Sequence, residues 1–307
     1  MVKSLVCGLF LLVVSRAAMA DSLVLGYEAG SNETGQVTGG EATYAVVSLG
    51  SHGTGTLGQS GGTITATSSV SLGDGTGGNG RYTLSGGSLS AVNAHVGRWG
   101  SGVFEQTGGL VEVGSASYGR LRLGIESGGS GTYRLSGDGV LRGYGSVLVG
   151  EQGLGLFEQT GGVHELLGQT YKTELTVGSS GAYRLESGSL RMTSLGSAIL
   201  TVNGQFELGS TGRLSMEQTN EAYNGPFLGV LGGTLTQRGG QVSLSSVNNS
   251  SLDVGGSGGL TGTYDLWDGE ISILSTASQG CFNVRQGLGG GQGIFNLYAG
   301  RVYVEGK

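Results

Sequence analysis

The chain has 307 residues, of which 67 are glycine and one is proline, and its formal net charge at pH 7 is −6. So much glycine excludes an ordinary globular composition, and the chain is not collagen-like, because glycine does not recur at every third residue and proline is almost absent. The acidic balance disfavours nucleic acid and anionic membranes as partners, and the regularly placed hydrophobic residues, 37% of the total, favour a folded chain over a disordered one.

Residues 1–20 are predicted to form a secretory signal peptide. Lys3 supplies a positive N-terminal region, Leu5 to Val14 form an apolar run, and Ala18–Ala20 fits a small-residue cleavage site. The run is too short to span a bilayer comfortably, and no later run reaches that length. We therefore expect an exported protein, secreted or at the cell surface, with no transmembrane segment in the mature chain.

The two cysteines of the chain predict no internal disulfide. Cys7 is removed with the signal peptide, so Cys281 is the single cysteine of the mature chain. We interpret Cys281 either as a buried small hydrophobic residue or as one half of a disulfide between two copies.

An internal repeat follows the predicted N-terminal cap and first strands at residues 21–54, and it fills residues 55–307. The segments Gly80–Gly87 and Gly102–Gly109 show its two forms. The forms recur at a mean step of about 26 residues, which lies in the range of solenoid repeats. Each unit has an anchor, which is an aromatic residue or leucine. The anchors are Leu57, Tyr82, Phe104, Tyr133, Phe157, Tyr183, Phe206, Leu235, Tyr264 and Phe295.

Two further positions repeat relative to the anchor. Glycine stands five residues after it in eight of the ten units, and an aliphatic residue stands seven residues after it, also in eight. A fixed glycine predicts a corner with positive φ or with a neighbouring backbone close by. The glycines are Gly62, Gly87, Gly109, Gly162, Gly188, Gly240, Gly269 and Gly300. The aliphatic residues are Ile64, Leu89, Val111, Val140, Leu190, Val242, Ile271 and Val302.

Short alternating apolar patterns predict about three strands per unit, separated by glycine corners. One unit cannot bury its own apolar face, but stacked units can. The predicted fold class is therefore all-β: a parallel β-helix (β-solenoid) of about ten turns of about 26 residues. The anchor and the residues two and seven positions after it then face inward.

The column two residues after the anchor alternates between glutamine and leucine over its first six turns. A buried glutamine needs partners for its amide, and corner backbone groups are the expected ones. The alternation also indicates that the underlying unit is a pair of turns. The column reads Gln59, Leu84, Gln106, Leu135, Gln159 and Leu185.

The residue directly after the anchor is predicted to face outward, in a column whose charge alternates in sign. Five consecutive turns read Glu105, Arg134, Glu158, Arg184 and Glu207. A shift of one turn would oppose like charges, whereas each exposed ion pair contributes under about 1 kcal/mol. We interpret the column as a device that sets the register more than as a source of stability.

The repeat pattern weakens between residues 199 and 229. Thr211 stands at the glycine position, Arg213 at the aliphatic position, and the one proline follows at Pro226. We predict a longer turn or a lateral loop here. Residues 301–307 end in a strand pattern, which predicts an open β edge, and we hypothesise a truncated product or an end that pairs with another copy.

The repeat resembles those of the autotransporter-associated β-strand repeat proteins and of related exported bacterial proteins that often end in a PEP-CTERM sorting segment. The resemblance rests on Tyr82–Gly87, Phe104–Gly109 and Phe157–Gly162, and it covers most of residues 55–305. It implies a β-helical stalk or passenger at the cell surface and implies no particular activity. The chain departs from both groups at its end, which shows neither a translocating domain nor a sorting segment.

No catalytic, cofactor or metal site is predicted. His52, His95 and His164 are scattered without metal-ligand spacing, and His164 is interpreted as a hydrogen-bonded interior or corner residue. Glu105 and Glu158 lie two turns apart, about 10 Å by strand spacing, which is wide even for an inverting glycosidase. An arginine between them favours two ionised carboxylates.

Two kinds of loop motif are interpreted as plain corners or turns. Gly73–Gly80 is rich in glycine with a single aspartate, and it faintly resembles a calcium turn or a phosphate loop. Asn32–Thr34 and Asn248–Ser250 fit the glycosylation pattern and are expected to be ordinary turns.

Exposed aromatic residues are the remaining candidates for binding. Trp99, Tyr118, Tyr144, Tyr171 and Trp267 lie outside the anchor positions. On one shared face they would stack on sugars, whereas dispersed residues would pack against loops, and we favour dispersal.

The leading hypothesis is an exported structural or cell-surface repeat protein, an adhesin- or matrix-like scaffold that is not an enzyme. The alternatives are a polysaccharide-binding or polysaccharide-degrading β-helix protein and a fragment of an autotransporter passenger. Lyases of this fold gather their charged residues in one groove, whereas this sequence spreads them along a ladder. The expected partners are surface polysaccharide, extracellular matrix or a second copy bound through the C-terminal turn, and nucleic acid is not expected.

Overall fold

The structure is a computed structural model, and it describes residues 9–12, 18–115, 118–168, 172–220, 225–256, 259–276, 280–284 and 291–306. Within these ranges the chain forms 26 strands and no helix. The first thirteen strands are β1 Leu9–Leu12, β2 Ala18–Leu25, β3 Asn32–Leu49, β4 Thr54–Leu72, β5 Asn79–Leu84, β6 Ser88–Val96, β7 Ser101–Gln106, β8 Leu110–Val113, β9 Arg120–Leu123, β10 Ser130–Leu135, β11 Val140–Gly143, β12 Ser146–Val149 and β13 Leu154–Gly168. The others are β14 Lys172–Val177, β15 Gly181–Ser194, β16 Ser197–Val202, β17 Gln205–Gln218, β18 Phe227–Val230, β19 Thr234–Gln237, β20 Gln241–Ser246, β21 Ser250–Val254, β22 Thr261–Leu266, β23 Glu270–Ser275, β24 Gly280–Val284, β25 Gln292–Leu297 and β26 Arg301–Glu305.

The strands stack in parallel on their equivalents in the neighbouring turns, which confirms the predicted β-solenoid of about ten turns. The first face of each turn carries the anchor, as in β7 and β10, and the second face follows the glycine corner, as in β8 and β11. The third face closes the turn, as in β12 and β14. Strands β3, β4, β13, β15 and β17 run round the first corner without a break.

The ten predicted anchors form one continuous column. Each anchor pairs in register with the anchor of the next turn. Six rings from Tyr82 to Phe206 stack with nearly parallel planes and centroids 4.6 to 5.0 Å apart. Leu235 interrupts the rings, and Tyr264 and Phe295 follow with a tilted contact at 5.5 Å. The core of the rod is thus an aromatic stack flanked by aliphatic columns.

The glycine corners meet both requirements that a fixed glycine predicted. All eight have positive φ, between +64° and +99°. A Cβ atom at Gly109 would also lie 2.5 Å from the carbonyl oxygen of Gly87 in the preceding turn, so backbone packs directly on backbone. Both conditions exclude larger residues at these corners.

Two turns carry one extra residue at this corner. In these turns the prediction that the residue seven positions after the anchor faces inward is wrong, and the next residue faces inward instead. In the Tyr133 turn, Leu141 is buried and Val140 is only half-buried. In the Phe206 turn, Leu214 fills the core and pairs with Leu190, so the aliphatic position is not lost to Arg213. Successive strand residues face opposite sides, so one inserted residue moves the next one inward.

The longer connection predicted within residues 199–229 lies between β17 and β18. Strand β17 runs unbroken from Gln205 to Gln218, and the connection spans residues 219–226. The equivalent connection between β15 and β16 consists of Leu195 and Gly196. Residues 221–224 of the predicted loop lie outside the described part of the chain.

The segment predicted as an N-terminal cap with the first strands stacks in parallel with the repeats. Strand β3 pairs with β4, with Val37 opposite Gln59. The predicted cleavage site at Ala18–Ala20 lies in β2, opposite residues of β3. Residues 1–8 and 13–17 of the predicted signal peptide are outside the described ranges. The described residues contain no helix of the length and apolarity that crossing a bilayer requires.

The last turn consists of β24, β25 and β26. Within the described residues, each of these strands pairs only with a strand of the preceding turn. Leu297 and Val304, which continue core columns, are 56% and 46% exposed. The interpretation of Cys281 as a buried residue is wrong: it is half-buried at the outward position opposite Ser251, because the inward position of β24 belongs to Phe282.

Candidate functional site

The predicted charge column forms a continuous series of ion pairs on the outside of the first face. Arg134 binds Glu105 at 3.4 Å and Glu158 at 2.9 Å. Arg184 binds Glu158 at 3.3 Å and Glu207 at 3.5 Å. The alternation therefore runs through five turns as predicted, and each carboxylate between two arginines is shared by both.

A second charge column on the second face was missed by the sequence reasoning. Arg142 binds Glu112 at 3.1 Å and Glu165 at 3.2 Å, and Arg191 lies 3.8 Å from Glu165. The extra corner residue of the Tyr133 turn puts Arg142 at a different distance from its anchor, so counting from the anchor does not reveal the column. In both columns the Phe turns are acidic and the Tyr turns are basic.

Successive turns are also joined inside the rod by hydrogen bonds that we call Tyr–Gln links. In one of them the hydroxyl of Tyr133 donates to Oε1 of Gln106 at 2.6 Å. The Nε2 group of Gln106 donates to the carbonyl oxygens of Gly109 and Val140, both at 3.0 Å. Burial raises the pKa of Tyr133 well above its ordinary value, so the hydroxyl keeps the proton that it donates.

Three more links have the same arrangement, each with a glutamine one turn before a tyrosine. They are Tyr82 with Gln59, Tyr183 with Gln159, and Tyr264 with Gln237. The Nε2 group of each of these glutamines also donates to two backbone carbonyl oxygens, which confirms the predicted corner partners. The tyrosine hydroxyl is a partner that was not predicted. The Phe206 turn has Leu208 at the glutamine position, so the alternation skips one turn before it resumes.

His164 lies in the core, which confirms its interpretation as an interior residue. Its Nδ1 atom is 2.9 Å from the hydroxyl of Tyr183, and its ring stacks on Phe157 at 4.9 Å. Because that hydroxyl donates to Gln159, Nδ1 carries the proton and donates to the hydroxyl oxygen. Burial lowers the pKa of His164 to about 3, and its Nε2 atom has no hydrogen-bond partner among the described residues.

The other predicted titratable candidates do not converge. His52 meets the ring of Tyr27 edge-on at 6.2 Å. His95 lies on the third face, where burial and then the nearby Arg122 lower its pKa. Within the described ranges, no three histidine, cysteine, aspartate or glutamate side chains gather as metal ligands would.

The Gly73–Gly80 motif forms a corner, as expected. Its turn is closed by the amide of Gly78, which donates to the carbonyl of Gly75 at 3.0 Å. The same bond closes three other corners, from Ser31 to Glu28, from Gly129 to Glu126 and from Gly181 to Gly178. Of the two glycosylation patterns, Asn248 lies in a bend as expected, whereas Asn32 begins β3, because the chain has already left the corner there.

The exposed aromatic residues are dispersed over three different corners. Trp99 lies between a third and a first strand and is 45% exposed. Tyr118 and Tyr144 lie between second and third strands, and the Tyr144 hydroxyl donates to Glu112 at 3.3 Å. Trp267 lies between a first and a second strand, and Tyr171 is outside the described residues.

Trp267 has a partner that the sequence reasoning missed, and we call the pair with Tyr298 the aromatic corner. The two rings stack with centroids 4.0 Å apart and an angle of 11° between their planes. They remain 46% and 57% exposed. Both stand three residues after their anchors, and this shared spacing was the available signal.

A polar groove lies directly beside the aromatic corner. It is lined on one side by the glycine corner column, at Gly240, Gly269 and Gly300. Beside these glycines it is lined by a column on the second face, in which Gln241, Glu270 and Arg301 pair in register from turn to turn. Asp268, the neighbour of Trp267 in the chain, also lines the groove. Rings, acceptors and donors are thus gathered on one side of the last turns.

Comparisons with known proteins add no identity to this geometry. Neither a scan against protein-family models nor searches of curated proteins and of solved structures found a match to this chain. The function is therefore argued from the residues and their arrangement.

Proposed function

We propose that this chain is an exported structural or cell-surface repeat protein, a scaffold without catalytic activity. The observation that carries the proposal is the mutual pairing of its charged side chains along the rod. Glu105 and Glu158 both bind Arg134, and the second column repeats this pattern. Charges held in this way stabilise the register of neighbouring turns and do not converge on a bound substrate.

The interior supports the same role. Stacked rings, Tyr–Gln links and glycine corners cross the boundary from one turn to the next, and parallel backbone hydrogen bonds cross it on three faces. Ten turns at the strand spacing of about 4.8 Å correspond to a rod of roughly 45–50 Å. A stiff rod of this kind serves to space or to display its surface.

The C-terminal turn supports self-association as part of this role. Leu297, Tyr303 and Val304 are exposed there, on strands whose outer edges have no partner in the described residues. A second copy stacked on this turn would cover these side chains and continue the parallel pairing. We expect end-to-end association of this kind to give particles that are longer than a single rod.

Small-angle scattering and circular dichroism on residues 21–307 test the scaffold proposal. We expect a rod cross-section and a β-type spectrum, with a length that grows with concentration through end-to-end association. A random-coil profile would contradict the fold. Release of unsaturated or reducing sugars from polysaccharides by the purified protein would contradict the non-catalytic role. N-terminal sequencing of the exported product should begin at Asp21 if the signal peptide is cleaved as predicted.

A further inference from the structure

We propose that the aromatic corner and its groove bind a linear neutral polysaccharide, with a pyranose ring stacked on the Trp267–Tyr298 pair. The site lies on the outer surface of the last turns, and its binding test does not require the scaffold role.

The rings are not needed to build the corner. Trp267 and Tyr298 each donate a backbone N–H bond to the residue two after the anchor of the preceding turn, at 2.8 and 2.9 Å. Ser85, Thr107 and Ser136 make the same bond at the same corner in earlier turns, each at 2.9 Å. Small polar residues therefore form this corner equally well, so corner packing does not account for two large rings.

The exposure of the rings points to a ligand. Two stacked aromatic side chains that stay about half exposed keep an apolar surface in water, and such patches with polar surroundings mark binding sites. Although Trp267 stacks on Tyr298, Tyr298 remains 57% exposed, so ring surface is accessible to a ligand. The electron-rich face of an aromatic ring attracts the C–H groups on the apolar side of a pyranose.

The groove supplies what sugar hydroxyls require. Each hydroxyl donates one hydrogen bond and accepts others, and it is matched by acceptors and donors placed together. Glu270 and Asp268 supply acceptors, Arg301 supplies donors, and Gln241 supplies both. The turns are about 4.8 Å apart, so a sugar chain that lies along the rod meets a polar group at every turn.

The charges favour a neutral sugar over an anionic one. Asp268 and Glu270 place two carboxylates in the groove beside a single guanidinium from Arg301. The chain as a whole carries a net charge of −6. Uronic acids or sulfated sugars would therefore meet a repulsive surface.

The two tryptophans of the chain allow a direct test by fluorescence. Trp99→Phe leaves Trp267 as the reporter inside the proposed site, and Trp267→Phe leaves the equally exposed Trp99 as the matched control, at 45% against 46% exposure. The purified full chain is titrated with hexaoses of glucose, mannose, xylose and N-acetylglucosamine, and with hexagalacturonate as the anionic probe. We expect a saturable change in Trp99→Phe with at least one neutral hexaose and no change in Trp267→Phe.

Substitution of Tyr298 tests the stacking itself. In the Trp99→Phe background, Tyr298→Ala should weaken binding by about tenfold or more, whereas Tyr298→Phe, which keeps the ring, should bind as its parent does. Circular dichroism of each variant checks that the rod is folded. The proposal is overturned if Trp99→Phe responds to no neutral hexaose, if Trp267→Phe responds equally, if only hexagalacturonate binds, or if Tyr298→Ala binds unchanged. None of these outcomes alters the scattering test of the scaffold role.

Discussion

The Tyr133–Gln106 link predicts strong energetic coupling between two successive turns. Tyr133→Phe removes the hydroxyl that donates to Oε1 of Gln106, and an unpaired buried acceptor costs about 1–3 kcal/mol of unfolding free energy. Gln106→Leu leaves the buried hydroxyl unpaired at a similar cost. It also removes two amide hydrogen bonds of about 1 kcal/mol each, so its expected cost is about 3–5 kcal/mol.

The double variant removes both polar partners together and places a leucine one turn before a phenylalanine. This arrangement already exists in the chain, where Leu135 precedes Phe157 and both are fully buried. We therefore expect the double variant to lose about 2 kcal/mol, which reflects the amide bonds alone and is less than the loss from Gln106→Leu. The measurement is equilibrium unfolding in urea followed by circular dichroism, compared at equal m-values.

A second double variant serves as the control for this coupling. Tyr82→Phe combined with Gln106→Leu should give additive losses, because the hydroxyl of Tyr82 donates to Gln59 instead. If Tyr133→Phe and Gln106→Leu are also additive to within about 0.5 kcal/mol, the link has no energetic content and the reasoning is refuted.

Three further predictions concern single positions. In urea unfolding, Gly109→Ala should destabilise the rod by at least about 1 kcal/mol more than Gly77→Ala. Both glycines have positive φ, but only Gly109 packs against backbone atoms of the preceding turn. Equal losses of stability would contradict this. Burial lowers the pKa of His164 from its ordinary 6.5 to about 3, so between these two pH values the imidazole binds a proton only in the unfolded chain. The free energy of unfolding should therefore fall by about 1.4 kcal/mol per pH unit as the pH drops through this range. His164→Leu should remove this dependence, and parallel curves of unfolding free energy against pH for the two proteins would disprove it. Arg134→Glu places three carboxylates in consecutive turns, and it should lower the melting temperature by an amount that shrinks with added salt; a salt-independent loss would argue against a charge effect.

The columns were predictable because a parallel stack turns equal spacing from the anchor into vertical contact. Side-chain conformations were not needed to predict the glycine column, the anchor column or the alternating charge column of Glu105, Arg134 and Glu158. These predictions required only the repeat length of about 26 residues, which the spacing of aromatic residues and glycines shows in nearly every turn. Strand pairing then follows, since a slip by one residue would expose a whole apolar face.

Counting from the anchor fails after an insertion. One extra residue at the corner of the Tyr133 turn moves Leu141 inward and shifts Arg142 away from the expected spacing. The sequence marks this insertion in two ways: Asp138 stands where other turns have the corner glycine, and a second apolar residue, Leu141, follows Val140. Cys281 was misplaced for a related reason, because the third strands have no fixed distance from the anchor.

The Tyr–Gln links depend on how far a side chain reaches across turns, which strand patterns do not describe. The signal was nevertheless present, since glutamine in its column always stands one turn before a tyrosine in the anchor column. Tyr298 was overlooked in a similar way, although it stands at the same distance from its anchor as Trp267. Both features are relations between two columns of the stack, which the pattern within one column does not contain.

The pairing of tyrosine with glutamine has a consequence for how such a rod changes length during evolution. Deleting the Tyr133 turn alone would bring Glu105 against Glu158 and leave Gln106 facing a phenylalanine with no hydroxyl. Deleting the Tyr133 and Phe157 turns together would instead place Arg184 beside Glu105 and Tyr183 one turn after Gln106, which restores both kinds of contact. Gains and losses by recombination should therefore occur in even numbers of turns, and the single Phe206 turn, where leucine replaces glutamine, is where an odd count is tolerated.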